Sequence, residues 1–134
     1  MGMKAGYLVE LDAVQFDEDT RAAWIQAMTI GKYYHPVHGE IELTPERIQK
    51  FAANVNSRVR TTDLDIDYDH KAYGGEAAGW IKRAEVRDTG LWVLVEWTKR
   101  AYSLLKEKAY RYFSPEFVDE WEDPRSGEKF TDVL

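Results

Sequence analysis

The sequence predicts an α+β fold that is mostly β: a small closed or partly open β-barrel carrying two helices. Three observations predict it. Apolar runs of strand length recur along nearly the whole chain. Only two segments combine a helix cap with helical spacing of apolar residues. Turn signals rich in Gly, Pro and Asp separate the remainder. The 134 residues correspond to one domain, and an aromatic content of 13% is too high for a disordered chain.

Taken in order, residues 4–12 hold Tyr7, Leu8, Val9 and Leu11 and predict a first strand. Asp17-Glu18-Asp19 is an acidic loop. Trp24 to Thr29 predicts a second strand, stopped at Gly31. Tyr33 to Gly39 contains Pro36 and predicts a loop or hairpin, followed by a short extended stretch at Ile41-Glu42-Leu43. The strongest helix signal comes next. Thr44 is a good N-cap, Pro45 suits the first helical position and Glu46 lies in the first turn. Ile48, Phe51, Ala52 and Val55 then recur at i, i+3, i+4 and i+7. That spacing predicts a helix to about Asn56, with Glu46, Arg47, Gln49 and Lys50 toward solvent.

Leu64, Ile66, Tyr68 and His70 alternate with Asp65, Asp67 and Asp69, a period of 2 that predicts a strand with one apolar and one acidic face. Gly74-Gly75 breaks it. Gly79 to Val86 and Leu91 to Trp97 are two further strands, joined by a tight turn at Arg87-Asp88-Thr89-Gly90 in which Gly90 supplies a positive φ. Thr98 caps a second helix to about Lys108, with Ala101, Leu104 and Leu105 inward. Tyr110 to Val118 predicts another strand, Glu122 to Glu128 a turn, and Phe130 to Leu134 a last strand pairing back on Tyr110–Val118. In all this makes about seven or eight strands and two helices. The abrupt apolar end at Val133-Leu134 predicts that residues 1–134 are a single domain continuing into a longer protein.

Composition excludes several functions. The charge is 18 − 24 = −6, and the basic residues are scattered rather than gathered in a stripe, which argues against nucleic-acid binding. No run approaches the roughly 18 apolar residues of a spanning helix. With no Cys there is no disulfide, no thiolate metal site and no Cys nucleophile. His35 and His38 sit in a Pro-containing loop, where solvated turn residues are the commoner reading and a metal site would need a third ligand.

Two residues stand out. His70 closes the Asp65-to-His70 strand immediately before the Lys71-to-Gly75 loop, a place where a reactive group can meet substrate. Its bland reading is a surface His on a solvated edge strand. Ser114 is a small polar residue inside the aromatic run Tyr110-Arg111-Tyr112-Phe113-Ser114-Pro115-Glu116-Phe117. It reads either as a strand Ser beside an edge Pro or as a nucleophile with His70 as its base.

Five motifs occur in order: Asp65-Ile66-Asp67-Tyr68-Asp69-His70, Ala77-Ala78-Gly79-Trp80-Ile81, Gly90-Leu91-Trp92, Val95-Glu96-Trp97-Thr98 and Tyr110-Arg111-Tyr112-Phe113-Ser114-Pro115. Together they resemble the Mu-like prophage I protein family of phage head maturation proteases. Gly31, His35-Pro36, Gly39 and Thr44-Pro45-Glu46 resemble its N-terminal part, so the likeness covers about residues 20–134. That family is similar to other prohead proteases and, distantly, to herpesvirus assemblin, serine proteases built on a β-barrel.

The resemblance implies a serine endopeptidase that cleaves scaffold, head proteins and itself, with Ser114 as nucleophile and His70 as base. It implies no cofactor and no metal. Partners would be phage scaffold and capsid proteins, with a homodimer left open and with neither nucleic acid nor membrane. The location implied is the assembling prohead in the host bacterial cytoplasm. Pro115-Glu116 after Ser114 departs from more distant prohead proteases, where a Gly follows, and leaves the oxyanion donors unassigned. Close approach of Ser114 Oγ to His70, within about 3–5 Å, is expected.

The residue orienting His70 stays open between Asp69, Asp67 and an acid beyond Leu134. A turn centred near 124–125 would set Ser114 opposite about position 135 and Asp132 opposite Phe117. In that arrangement the chain by itself would be weakly active or inactive. The rival readings are a non-catalytic scaffold-docking domain on the same fold, and a metal-dependent hydrolase using His35, His38, His70 and the Asp cluster.

Overall fold

The computed structural model describes residues 4–5, 9–10, 16–37, 39–61, 64–67, 77–107, 112–113 and 117–134. In chain order the elements are β1 (Lys4–Ala5), β2 (Val9–Glu10), β3 (Ala22–Thr29), β4 (Gly31–His35), β5 (Gly39–Leu43), α1 (Pro45–Asn56), β6 (Leu64–Asp67), β7 (Ala77–Arg87), β8 (Gly90–Trp97), α2 (Lys99–Lys106), β9 (Tyr112–Phe113), β10 (Val118–Glu122) and β11 (Lys129–Val133). The chain is therefore mostly β with two helices. Its described strands form open sheets rather than a closed ring: β3-β8-β7-β6, β1-β4-β5, β2-β9 and β10-β11.

The four-stranded sheet is antiparallel throughout and holds most of the core. In its central strand β8, Leu91, Val93, Val95 and Trp97 are buried on one face, as alternation requires. The neighbouring strands depart from strict alternation where the register slips. Ala27 and Met28 are buried in succession beside the slip between Gln26 and Met28 in β3. Lys82 and Arg83 are exposed in succession beside the slip between Ile81 and Arg83 in β7. An extra residue in one strand of a pair turns the next side chain onto the same face, which period-2 reading cannot anticipate. The β7–β8 turn is the expected one, with Arg87 paired to Gly90 across Asp88-Thr89. Gly90 has φ +155°, and a Cβ there would collide with the Met28 carbonyl oxygen.

Helix α1 lies over the buried face of β7 and β8 and against β11. Its start follows from local chemistry: Thr44 is extended, and its Oγ1 accepts a hydrogen bond from the Arg47 amide at 3.2 Å. Ile48, Phe51 and Ala52 are buried and Val55 packs at the margin of the same core. Burial of Phe51 and Ile48 contributes about 1.5–3 kcal/mol each. Glu46, Gln49 and Lys50 are exposed as expected, but Arg47 is not on the solvent face; its side chain is only 24% exposed. Helix α2 is capped by Thr98, whose Oγ1 accepts from the Ala101 amide at 3.2 Å, and it buries Ala101.

Several expected strands are redistributed. The single strand expected over residues 4–12 is described as two short pieces serving different sheets: β1 runs parallel to β4, while β2 is antiparallel to β9. The loop or hairpin expected at Tyr33–Gly39 is a β4–β5 hairpin closing at His35 and Gly39, with the Tyr33 hydroxyl donating to the Thr29 carbonyl at 2.7 Å. The strand expected over Tyr110–Val118 is divided. β9 pairs with β2, and β10 begins only at Val118 and pairs with β11. Pro115 lies between them, and a residue without an N–H cannot continue a ladder.

Candidate active site

The sequence points to two connections. The first leaves the end of β6, the edge strand of the four-stranded sheet. Leu64, Asp65 and Ile66 pair with Ile81, Trp80 and Gly79, and after a register slip the backbone of Asp67 pairs with Ala77. The Asp67-to-Ala77 pairing closes the two strands on the connection that contains Asp69 and His70. The second connection, Ser114-Pro115-Glu116, joins β9 to the segment that opens β10. The Asp67 side chain, Asp69, His70 and Ser114 lie outside the described residues, as do His38 and the His35 side chain; the expected Ser114–His70 approach falls there too.

The flanks of the Ser114 connection are well defined. Before it, Phe113 and Tyr112 are registered against Val9 and Glu10. After it, the Phe117 ring meets the buried Phe51 edge to face, with centroids 5.2 Å apart at 80°. The C-terminal hairpin then registers Val118 with Val133 and Glu120 with Thr131. This is two residues away from the register expected from the sequence. Asp132 therefore comes level with Asp119, not with Phe117. The turn is closed by Asp123: its amide donates to the Glu128 carbonyl and its own carbonyl accepts from the Gly127 amide, each at 2.8 Å.

Asp132 is buried, 6% exposed, and sits in the left-handed region at φ +60°. Arg47 joins it to Asp119. Its Nε donates to Asp132 Oδ1 at 2.9 Å, its Nη2 reaches Asp119 Oδ1 at 2.7 Å and its Nη1 donates to the Glu42 carbonyl at 2.9 Å. The guanidinium carbon also lies 5.8 Å from the Phe51 ring centroid and 5.7 Å from that of Phe117. Burial works to lower the Arg47 pKa, and the hydrogen bonds and charges of Asp132 and Asp119 outweigh it, so the net shift is upward. About one helix turn on, Lys50 Nζ donates to Thr131 Oγ1 at 3.1 Å, and about a turn further Asn54 Nδ2 donates to the Thr131 and Asp132 carbonyls at 2.8 and 3.1 Å.

Arg47, Lys50 and Asn54 thus form a polar stripe beside the apolar stripe of α1 and tie the helix to β11. Sequence reasoning missed this stripe. The i, i+3, i+7 spacing of the three residues is visible in the sequence, but their partners lie about 80 positions away along the chain.

The mostly-β frame thus carries an Asp-Tyr-Asp-His motif from the end of β6 into one connection and a Tyr-x-Ser-Pro motif from β9 into another. Residues 25–126 match the family model described as Mu-like prophage I protein, N-terminal domain, and the chain belongs to that family. Both motifs lie inside the matched span. Nothing among the curated proteins or the solved structures matches the chain. Among the described residues no helix is long and apolar enough to cross a membrane.

Proposed function

We propose that the chain is the serine endopeptidase domain of a phage head-maturation protein, acting on scaffold and capsid proteins and on its own polypeptide in the assembling prohead. The observation that carries this reading is the family match over residues 25–126, which includes both His70 and Ser114. Ser114 Oγ attacks the peptide carbonyl carbon while His70 takes its proton, and His70 returns that proton to the leaving amine. Water, deprotonated by His70, then hydrolyses the acyl ester and frees Ser114. Asp69 or Asp67 orients His70. Asp132 has a different task, because its carboxylate is engaged by Arg47. On this reading the open sheets belong to the barrel type of the prohead proteases.

The test is covalent labelling with a fluorophosphonate probe followed by peptide mapping, alongside assays of self-cleavage and of scaffold cleavage. Labelling at Ser114, lost in Ser114→Ala and reduced at least about 10³-fold in His70→Ala, is expected. A folded chain that neither labels at Ser114 nor cleaves scaffold, yet binds it, would replace this reading with a non-catalytic scaffold-docking domain.

A further inference from the structure

We propose that the outer edge of β3 is a docking edge for a partner protein. Its occupant is a short extended segment lying antiparallel to β3, uncharged over about four residues and ending in Lys or Arg. The inference stands whether or not Ser114 is a nucleophile.

β3 is an edge of the four-stranded sheet, with β8 along one side and no described strand along the other. In an antiparallel ladder alternate residues turn their N–H and C=O toward the neighbouring strand. The Arg21 carbonyl accepts from the Trp97 amide at 3.2 Å, so Arg21, Ala23 and Ile25 face β8 while Ala22, Trp24 and Gln26 face the other side. Both ends of that side are already used. The Ala22 carbonyl accepts from the Asp17 amide at 2.7 Å, and the Ala22 amide donates to Thr20 Oγ1 at 3.3 Å. The Thr29 carbonyl accepts from the Tyr33 hydroxyl at 2.7 Å. Between these ends, the outward N–H and C=O of Trp24 and of Gln26 bond to no described residue.

Unpaired edges invite unwanted pairing, and proteins commonly guard them with charge or Pro. Other described edge strands are guarded in this way: β5 carries Glu40 and Glu42, β6 Asp65 and Asp67, and β10 Asp119, Glu120 and Glu122. β3 runs for 8 residues, Ala22–Thr29, with no charge, no Pro and no Gly. Its one protection is the slip between Gln26 and Met28, which confines straight pairing to the stretch around Trp24 and Gln26. On the outer face this stretch presents Trp24, whose ring is held by the Arg83 and Arg87 guanidinia at 5.6 and 5.2 Å. A short, uncharged edge with a fixed aromatic side chain suits an added strand of similar length.

Charge selects the segment. The exposed Asp17-Glu18-Asp19 turn closes the edge where β3 begins, held there by the hydrogen bond from Asp17 to Ala22. The Thr20 and Asp19 amides donate to Asp17 Oδ1 and hold its carboxyl below the usual range. Glu18 lies 3.8 Å from Lys106, and no described cation pairs with Asp17 or Asp19. A cation at the C-terminal end of an antiparallel segment meets these carboxylates, whereas an acidic end is repelled. A second copy of the chain fits less well. Pairing its Gln26 with Trp24 would bring its Met28 level with Ala22, where Asp17 already lies.

The test titrates the full, isotope-labelled chain with the peptide acetyl-Thr-Val-Thr-Val-Lys-Lys-amide at low salt and follows the backbone amide resonances. Saturable shifts at Trp24 and Gln26, with millimolar affinity, are expected. Replacing both peptide lysines by Glu should weaken binding by about 5–30-fold, an effect that shrinks in high salt. Methylating the peptide nitrogens of one alternate set of residues should cost at least about fivefold, and of the other set less than about twofold, because only one set faces β3. The double variant Glu18→Lys, Asp19→Lys should reverse the preference between the two peptides. No saturable shift, shifts elsewhere with none in β3, equal binding of the Glu peptide, or equal losses from the two methylated sets would overturn the inference. So would a chain that sediments as a dimer and becomes a monomer in Gln26→Lys, which would assign the edge to a second copy.

Discussion

At the scale of single residues, burial decides which half of a shared ion pair matters. Arg47 faces two carboxylates, but the Asp132 side chain is 8% exposed and the Asp119 side chain 84%. Water competes for Asp119 far more than for Asp132. Asp132→Asn keeps a side chain that tolerates the left-handed backbone, removes the charge and exchanges one acceptor oxygen for an NH2 donor. It should lower unfolding free energy by about 1.5–3 kcal/mol in urea titrations. Asp119→Asn should change it by no more than about 1 kcal/mol. The opposite order would mean that the exposed carboxylate holds the guanidinium.

Asp123 supplies a pH test. The Arg125 side chain donates to its two carboxylate oxygens at 3.0 and 2.8 Å, and the Arg125 amide donates at 2.9 Å. The side-chain hydrogen bond is the largest cause of a lowered pKa, the amide comes next, and burial opposes both. A lowered folded-state pKa means that the unfolded chain takes up the proton more readily. The stabilisation is therefore present above the ordinary aspartate pKa and is lost as pH falls through the depressed one. Asp123→Asn should flatten the acid limb of a stability–pH curve in that window, and an unchanged limb would show that Arg125 does not hold the carboxylate in solution.

At the scale of elements, α1 shows what local signals can decide. Thr44, Pro45 and the spacing of Ile48, Phe51, Ala52 and Val55 set its start and its buried face, because caps and helical periodicity act within a few residues of one another. Thr44→Ala should cost about 1 kcal/mol. Phe51→Ala should cost about 3–5 kcal/mol, because it empties a fully buried site. Gln49→Ala on the exposed face should stay within about 0.5 kcal/mol. Chemical denaturation of the three variants checks the ranking, and a Gln49→Ala effect as large as that of Thr44→Ala would contradict the face assignment.

The Tyr110–Val118 stretch shows the converse. Its aromatic run reads as one strand, yet β9 and β10 belong to different sheets, and the division falls around Pro115. The register of β10 on β11 differs by two residues from that expected, since a turn of this length has several closures with equally good local chemistry. The slips at Gln26/Met28 and Ile81/Arg83 are of the same kind: they satisfy a neighbouring strand and leave no mark in the local pattern.

At the scale of the whole molecule, β8 is the central organiser. It pairs with β3 on one side and β7 on the other, and Leu91, Val93 and Val95 are wholly buried beneath α1 and the sheet. Strands buried in this way exchange their amide protons only on global unfolding, whereas edge strands and short pairings open locally. Native-state hydrogen exchange should therefore find the slowest amides in β8, with opening energies matching the global value. The two-residue pairing of β2 with β9 should exchange far faster. Equal protection across both would mean that the described sheets open as one unit.

The sequence by itself determined the mostly-β class, both helix caps, the β7–β8 turn and the family, because each rests on residues close together in the chain or on motifs in a fixed order. Only the tertiary structure decided that the strands form open sheets, that the aromatic run divides between two partners, and that Arg47 turns from solvent toward Asp132 and Phe117. The Arg47 contacts join groups about 70–85 residues apart in the chain, and β9 meets β2 across about 100 residues. Whether a charged helix residue faces water or a buried carboxylate is settled by what packs against it, and local periodicity carries no record of that.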